Sequence, residues 1–406
     1  MKQQQLYGAL KLLLCYVAVL LCHHSVTAQE EFVAPQATLL TKFSFTQLSG
    51  GIILIRARID DMPDTLNFVL DTGSGGISLD SETVATYKMV TEISDKTIRG
   101  IAGIKAVAFT NNHTLQLPGL AVPHLDFHIN NYDLLTSVYG VKIDGIIGYS
   151  FFRRFIVKVD YDLLKIEVFT PGTIKYAKGG YLMKPNFSSL VYPQAQIEDE
   201  RVFTNRFIFD TGAGLCMLLS EDFITDSMVL RKRSKRYTTQ AEGVGGKKTM
   251  DITVIKSVQI GNYKFRKVPV YIFSDDYNVT SYPLLGGLLG NDLLRRFNVV
   301  LNYPEQSIYL KPNTHFKDEF DYSYTGLGIY QIEQNIVVVD IMPGSPGEKA
   351  GFKPDDIILS IDNNFSKNVQ AFKAALQNTG NTVRILILRN GQPLLLKLRV
   401  KNILRP

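Results

Sequence analysis

Two short stretches carry the residues that could do chemistry: "LDTGSGG" (70–76) and "FDTGAGL" (209–215). Each sets an acid, Asp71 or Asp210, at the end of a continuous apolar run, Phe68-Val69-Leu70 or Phe207-Ile208-Phe209. A run apolar at every position suits a strand buried on both faces, which can hold a carboxylate rigidly at its end. Gly73 and Gly212 then permit a tight turn with close backbone approach. One such stretch is weak evidence, because Asp and Gly neighbours usually mark ordinary turns. Two carboxylates brought within hydrogen-bonding distance are another matter. They cannot both ionise easily, so one pKa rises and the pair shares a proton. Such a pair can take a proton from water and give one to a carbonyl.

The surroundings of both acids repeat. "LNFVLDTGSGGISL" (66–79) pairs with "NRFIFDTGAGLCML" (205–218), and "IRGIAGIKAV" (98–107) pairs loosely with "AEGVGGKKTM" (241–250). "LQLPGLAVPHLDFHI" (115–129) pairs with "VQIGNYKFRKVPVYI" (258–272), and "DGIIGYSFFRRFIVKVDY" (144–161) with "GGLLGNDLLRRFNVVLNY" (286–303). Four blocks in the same order make residues 38–312 a duplicated lobe. Strand-like runs rich in β-branched and aromatic residues dominate each lobe, for example "GGIILIRARI", "FIVKVDY" and "KIEVFT". Helix is expected only in short pieces, such as Ser81 to Tyr87 and Ser150 to Arg154.

The doubled "DTGSG"/"DTGAG", each followed by a hydrophobic-hydrophobic-Gly block (Ile146-Ile147-Gly148 and Leu288-Leu289-Gly290), resembles the pepsin and retropepsin group of aspartic peptidases. The resemblance covers about two thirds of the chain and implies a mostly β, bilobal, duplicated acid-protease barrel fold. It implies that Asp71 and Asp210 are a catalytic dyad supported by Thr72, Gly73, Ser74, Thr211, Gly212 and Ala213. By the same resemblance, the Thr72 and Thr211 hydroxyls bond across the pseudo-twofold axis. Ser74 would hydrogen-bond Asp71 from outside; Ala213 cannot do so for Asp210, which makes the carboxylates inequivalent. Pepsin-type enzymes cover the cleft with one tyrosine-bearing hairpin. Here two Gly-rich hairpins, with Arg99, Gly100, Ile101 and Gly103 in one and Gly243, Val244, Gly245 and Gly246 in the other, resemble the paired flaps of the retroviral enzymes. A single lobe working only as a dimer is disfavoured, since both lobes lie on one chain.

After Pro312 the pattern changes. "NTHFKDEFDYSY" (313–324) reads as a polar, charged linker. The segment 326–406 resembles a PDZ domain in the circularly permuted bacterial arrangement, a small α+β module whose last strand, Leu394 to Val400, takes the place of the first. The resemblance implies that an extended peptide adds to the strand after Gly326-Leu327-Gly328-Ile329, with loop N–H groups capturing its terminal carboxylate. Asp355 stands where the family usually has Gly, and Asp tolerates a left-handed turn.

Length and composition bound the rest. The 406 residues suffice for two or three domains, and the formal charge of +6 does not suggest nucleic-acid binding. Lys2, Lys11, the apolar run Leu12 to Leu21 and Val26-Thr27-Ala28 read as an export signal over 1–28. Residues 29–172 and 173–312 are then the two lobes, 313–325 the linker and 326–406 the PDZ domain. Export to the periplasm is the expectation, with secretion or surface attachment as variants. Residues 29–38 are too few for a long inhibitory pro-segment. Of three cysteines only Cys216 lies beyond the leader, in an apolar setting that marks a core residue. His124, Asp126 and His128 alternate along a strand, where a solvated polar face is expected, with Leu125, Phe127 and Ile129 inward. The basic run Arg231 to Arg236 is expected to be a solvated loop. No metal or other cofactor is implied. The expected activity is endopeptidase cleavage of peptide or protein substrates, with a C-terminal peptide at the PDZ groove. The alternative is a non-catalytic peptide-binding adaptor or chaperone on the same folds.

Overall fold

The computed structural model describes residue 8 and residues 34–243, 246–320 and 324–404. Apart from Gly8, the expected export signal over 1–28 lies outside the described residues, as do the flap candidates Val244 and Gly245. The chain divides into a unit ending at Gln36 and one comprising Ala37–Pro406. The second unit holds both lobes and the C-terminal module.

Each lobe is an eight-stranded sheet built on the repeated blocks. In lobe 1 the strand Leu66–Leu70 runs parallel to Gly145–Ile147, pairing Phe68 with Gly145 and Leu70 with Ile147. In lobe 2, Ile208–Phe209 runs parallel to Gly287–Leu289 in the same way. The strands that follow the acid turns, Ile77–Asp80 and Met217–Ser220, close on the other side of those short strands, antiparallel to them. The hydrophobic-hydrophobic-Gly blocks are thus the central strands of the lobes. Their final glycines are required by closeness, since a Cβ on Gly148 would stand 2.5 Å from the Ser74 carbonyl oxygen.

A third, six-stranded sheet joins the lobes. Ile156–Asp160 from lobe 1 pairs antiparallel with Phe297–Asn302 from lobe 2, Val157 opposite Leu301. This shared sheet pins the two halves in one relative orientation, and Val157, Val159, Val299 and Leu301 are all buried beneath it.

Short helices occur where expected, at Ser81–Thr86 and Tyr149–Phe152. Asp80 caps the first by accepting from the Glu82 and Thr83 N–H groups. Two more, Asp133–Tyr139 and Glu221–Ser227, go beyond the sequence expectation. Among the described residues no helix is long and apolar enough to cross a membrane.

The linker departs from the polar reading. Phe316, Phe320 and Tyr324 recur every fourth residue; Phe316 and Phe320 turn onto lobe 2, where both meet Phe265 and Phe316 also meets Phe297, and Tyr324 is buried with its hydroxyl donating to Phe320 O. Arg296 is completely buried and straps the segment down. Its guanidinium donates to the carbonyls of Asp318, Glu319 and His315 and lies 3.9 Å from the Phe320 ring centroid. Arg296→Ala should lower unfolding free energy by about 3 kcal/mol or more, because several bonds from a buried charged donor are lost together. Chemical denaturation of the two proteins measures it, and an unchanged midpoint would refute the strap.

The C-terminal module is a five-stranded sheet in the order Leu327–Ile332, Asn335–Ile341, Ile357–Ile361, Thr382–Arg389, Gln392–Arg399, with the helix Val369–Leu376 beside it. Asp355 has φ 69°, the left-handed turn its side chain tolerates. Asp356 is buried and receives Arg389 in two bonds of 2.7 Å.

Candidate active site

Asp71 and Asp210 reach their positions by matching backbone bonds. The Asp71 N–H donates to Ile147 O at 2.9 Å, and the Asp210 N–H to Leu289 O at 2.9 Å. Each acid therefore hangs from the central strand of its own lobe. Between the lobes the threonines interlock. The Thr72 N–H donates to Thr211 Oγ1 and the Thr211 N–H to Thr72 Oγ1, both at 3.0 Å. The Thr72 hydroxyl donates to Phe209 O at 2.6 Å, and the Thr211 hydroxyl to Leu70 O at 2.9 Å. Both threonines are buried, so these four bonds form out of reach of water.

The lock brings the carboxylates face to face. A Cβ on Gly73 would stand 2.5 Å from Asp210 Cγ, and one on Gly212 would collide with Asp71 Cγ. The two carboxyl groups are within hydrogen-bonding reach of each other. Gly73 N–H donates to Asp71 Oδ1 at 2.7 Å; Gly212 and Ala213 N–H groups donate to Asp210 Oδ1 at 2.8 and 3.0 Å. Burial pushes both acids above the usual carboxylate range. Asp210 goes further, because the charge of Asp71 and their mutual bond add to burial there, whereas the same bond lowers Asp71; backbone N–H groups oppose the shift at both. The pair titrates as one unit holding a proton above the ordinary carboxylate range. Ser74 acts on Asp71 through its backbone N–H, not through the expected hydroxyl bond.

The two Gly-rich hairpins meet over this region. In lobe 1 Arg99 pairs with Ile104 and Gly100 with Gly103; in lobe 2 Gly243 pairs with Gly246. A Cβ on Gly246 would sit 3.9 Å from the Ala102 methyl, so the tips face one another. Arg99 donates to Asn278 O of the opposite lobe at 3.1 Å. Ile101 packs against a lobe 2 cluster that includes Ile208, Leu218 and Leu288, with Ala213 and Leu215 alongside.

Three further titratable side chains in the lobes lie outside the expected site residues. Tyr303 follows the last repeated strand; its hydroxyl is buried without a hydrogen-bond partner. Burial first, then the charge of Asp71, push its phenol far above the usual range. Its lobe 1 counterpart Tyr161 instead donates to Asn291 Oδ1 at 2.9 Å. The repeat alignment of Tyr161 with Tyr303 could have found this position. Tyr132, whose hydroxyl lies 2.6 Å from Ser78 Oγ, is buried and pushed up to about 12 by burial. His128 corrects the solvated-face reading: it is half-buried beside Gly76, and burial pushes it down to about 4, so it is neutral. His124 and Asp126 are exposed as expected, and Leu125 and Phe127 are inward. Among the described residues no group of three or more His, Cys, Asp or Glu side chains could hold a metal. Cys216 is buried and donates to Asp292 Oδ2 at 3.0 Å; burial keeps its thiol protonated.

In the C-terminal module Gly326 has φ 68°, and a Cβ there would collide with Ser345; one on Gly328 would stand 2.9 Å from Asp340 Cβ. Leu327 and Ile329 follow on a strand at the end of the sheet order, with one face of its ladder unpaired in the sheet. The helix Val369–Leu376 lies alongside that strand.

Comparison with known proteins agrees with this architecture. The aspartyl protease family Asp_protease_2 matches residues 55–151 and 194–293, one stretch per lobe, and the PDZ domain family PDZ_6 matches residues 337–390. The carboxy-terminal processing protease CtpB of Bacillus subtilis is 33% identical over 108 residues, 25% of this chain and 22% of that protein. The probable 26S proteasome regulatory subunit p27 of Saccharomyces cerevisiae is 30% identical over 106 residues, 25% of this chain and 46% of that protein. The match thus spans under half the length of either relative. With one Asp-Thr-Gly turn per lobe, a shared inter-lobe sheet and the C-terminal module in place, the chain belongs to the retropepsin-like aspartyl proteases, with both lobes on one chain and a PDZ domain at the C-terminal side.

Proposed function

We propose that the protein is an aspartic endopeptidase in which Asp71 and Asp210 act as one acid–base unit on water. The observation that carries this reading is the facing, buried carboxylate pair held by the Thr72–Thr211 lock. The pair enters the reaction with one proton. The ionised member takes a proton from a water molecule as its oxygen attacks the peptide carbonyl carbon; the protonated member donates to the carbonyl oxygen. The tetrahedral species then collapses. As the C–N bond breaks, the protonated member of the pair donates to the leaving nitrogen while the ionised member takes a proton from one hydroxyl of the tetrahedral species; a carboxylic acid and an amine are released with no acyl-enzyme, and the pair again holds one proton. Gly73, Gly212 and Ala213 N–H groups orient the carboxylates, while the hairpin tips around Ile101 and Gly246 close over the substrate and exclude water.

The substrate is an extended peptide or protein segment. The partly buried apolar residues Ile101, Ala213 and Leu215 offer an apolar surface for its side chains, and the PDZ module adds recognition of a second part of the same chain, raising its effective concentration. The leader over 1–28 supports an exported protein acting in the periplasm or outside the cell. Incubation with a peptide library, followed by mass-spectrometric identification of cut bonds, tests the reading with Asp71→Asn as control. Cuts made equally by both proteins would refute it and favour a peptide-binding role without catalysis.

A further inference from the structure

The peptide groove of the PDZ module is already engaged. Its walls are the strand Leu327–Ile332 and the helix Val369–Leu376, and the lobe 1 helix Asp133–Tyr139 packs against both. The C-terminal end of the lobe 1 helix is held by side chains of the groove helix. Lys373 Nζ donates to Val138 O at 2.7 Å and Gln370 Nε2 to Tyr139 O at 2.9 Å, so two carbonyls at the helix's C-terminal end are received by the groove helix. Gln370 Oε1 in turn accepts from the Ser49 N–H at 2.8 Å. Gly140, at φ 66°, ends the lobe 1 helix directly against Val369, where a Cβ would collide with the valine and stand 2.8 Å from Gln331 Oε1. A cavity of about 280 Å³ remains, bounded by Leu135, Tyr139, Gly326, Leu327 and Leu376 and reaching Gly214, four residues past Asp210. The helix itself occupies the space between the two walls, where an added peptide strand would lie.

The same docking grips the lobe 2 hairpin by its stem. Asp340 Oδ2 accepts from the Thr239 hydroxyl at 3.2 Å and from the Gln240 N–H at 3.3 Å. Lys247, on the returning strand, lies 5.1 Å from the Tyr330 ring centroid.

We propose that the helix Asp133–Tyr139 is an internal latch in the PDZ groove, and that a peptide with a free α-carboxylate binds by displacing it, which also releases the stem of the lobe 2 hairpin. The groove thus acts as a sensor of chain ends, not as an open tether. Apparent affinity for such a peptide is lowered by the fraction of molecules with the latch withdrawn, and weakening the latch from the lobe 1 side should restore it. The claim does not depend on catalysis, and its test is made in the Asp71→Asn chain so that no probe is cut.

The test substitutes Gly140→Asn. Asparagine accepts the left-handed turn, but its side chain meets Val369 only when the module is docked. Fluorescent octapeptides with an apolar last residue, as free acids and as C-terminal amides, are titrated by anisotropy against full-length protein. The free acids should bind the Gly140→Asn chain on the order of tenfold or more tighter than its parent, with the amides left weak. Hydrogen exchange over residues 237–243 should quicken when the free acid is added to the parent. A second arm avoids any folding loss: a short thiol crosslinker joining Ser49→Cys to Gln370→Cys should abolish binding that the uncrosslinked protein shows. Equal affinity in parent and variant, absence of binding in both, or unaltered binding after crosslinking would overturn the latch. Binding without faster exchange in the hairpin stem would overturn its coupling to the cleft.

Discussion

Asp71→Asn and Asp210→Asn should each lower peptide hydrolysis on the order of a thousandfold or more, while the protein melts at the same or a higher temperature at neutral pH. The loss follows from chemistry: an amide can neither take the proton from water nor share one with its partner, and acid–base catalysis of this kind is worth about 10²–10⁴-fold. The stability follows from the direction of the pKa shifts. Burial raises both folded-state values above those of the unfolded chain. The protonated forms therefore favour the fold. The pair's contribution is greatest below the unfolded carboxylate pKa and is lost as pH rises through the raised values. At neutral pH a neutral amide relieves that cost, most at Asp210, where the shift is larger. Thermal melts and initial rates on one preparation read both effects. A variant that is active, or that is inactive because it has unfolded, would contradict the assignment.

The second large effect concerns the turns. Gly73→Ala and Gly212→Ala should abolish activity, because the added methyl must occupy space held by the opposite carboxyl group. Nothing flexible can give way there: the intruded group is the reacting one, and the Thr72–Thr211 lock prevents the lobes from parting. Gly75→Ala is the control. A Cβ at that position would stand 3.7 Å from Ser189 Oγ, an ordinary contact, so activity should stay within about twofold of the parent. Parallel loss in all three would show that the turn needs glycine for backbone freedom alone. Retained activity in Gly212→Ala would show that the carboxylates do not face each other in solution.

The core of the site was legible in the sequence for a physical reason. A carboxylate at the end of a doubly buried strand, followed by Thr-Gly, has few structural uses, and its recurrence with the Ile146-Ile147-Gly148 and Leu288-Leu289-Gly290 blocks placed both acids on equivalent strands. Gly148 illustrates the link, since its hydrogen is needed against the Ser74 carbonyl. Other features were hidden because their residue types point elsewhere. Arg296 in "LRRF" reads as surface charge, yet it is fully buried, its donors taken by linker carbonyls. The linker's charges masked the every-fourth-residue spacing of Phe316, Phe320 and Tyr324. His128 alternates with apolar residues like a solvated strand face, but the neighbouring turn at Gly76 covers it. The helix Asp133–Tyr139 has a modest apolar face, and its role depends on a partner surface in the C-terminal module, far along the chain. Pattern reading sees periodicity within an element; it does not see which distant element will cover a face.

The central claim is that the two carboxylates work as a pair sharing one proton. The most direct measurement is kcat/KM for one cleaved peptide, followed from about pH 3 to about pH 8 in water enriched with ¹⁸O. A rate that falls tenfold per pH unit above the raised pKa of the pair, with one ¹⁸O entering the new carboxylate and pepstatin suppressing the reaction, is the predicted result. A rate that stays flat or climbs through neutral pH, and that persists in Asp210→Asn, would contradict it.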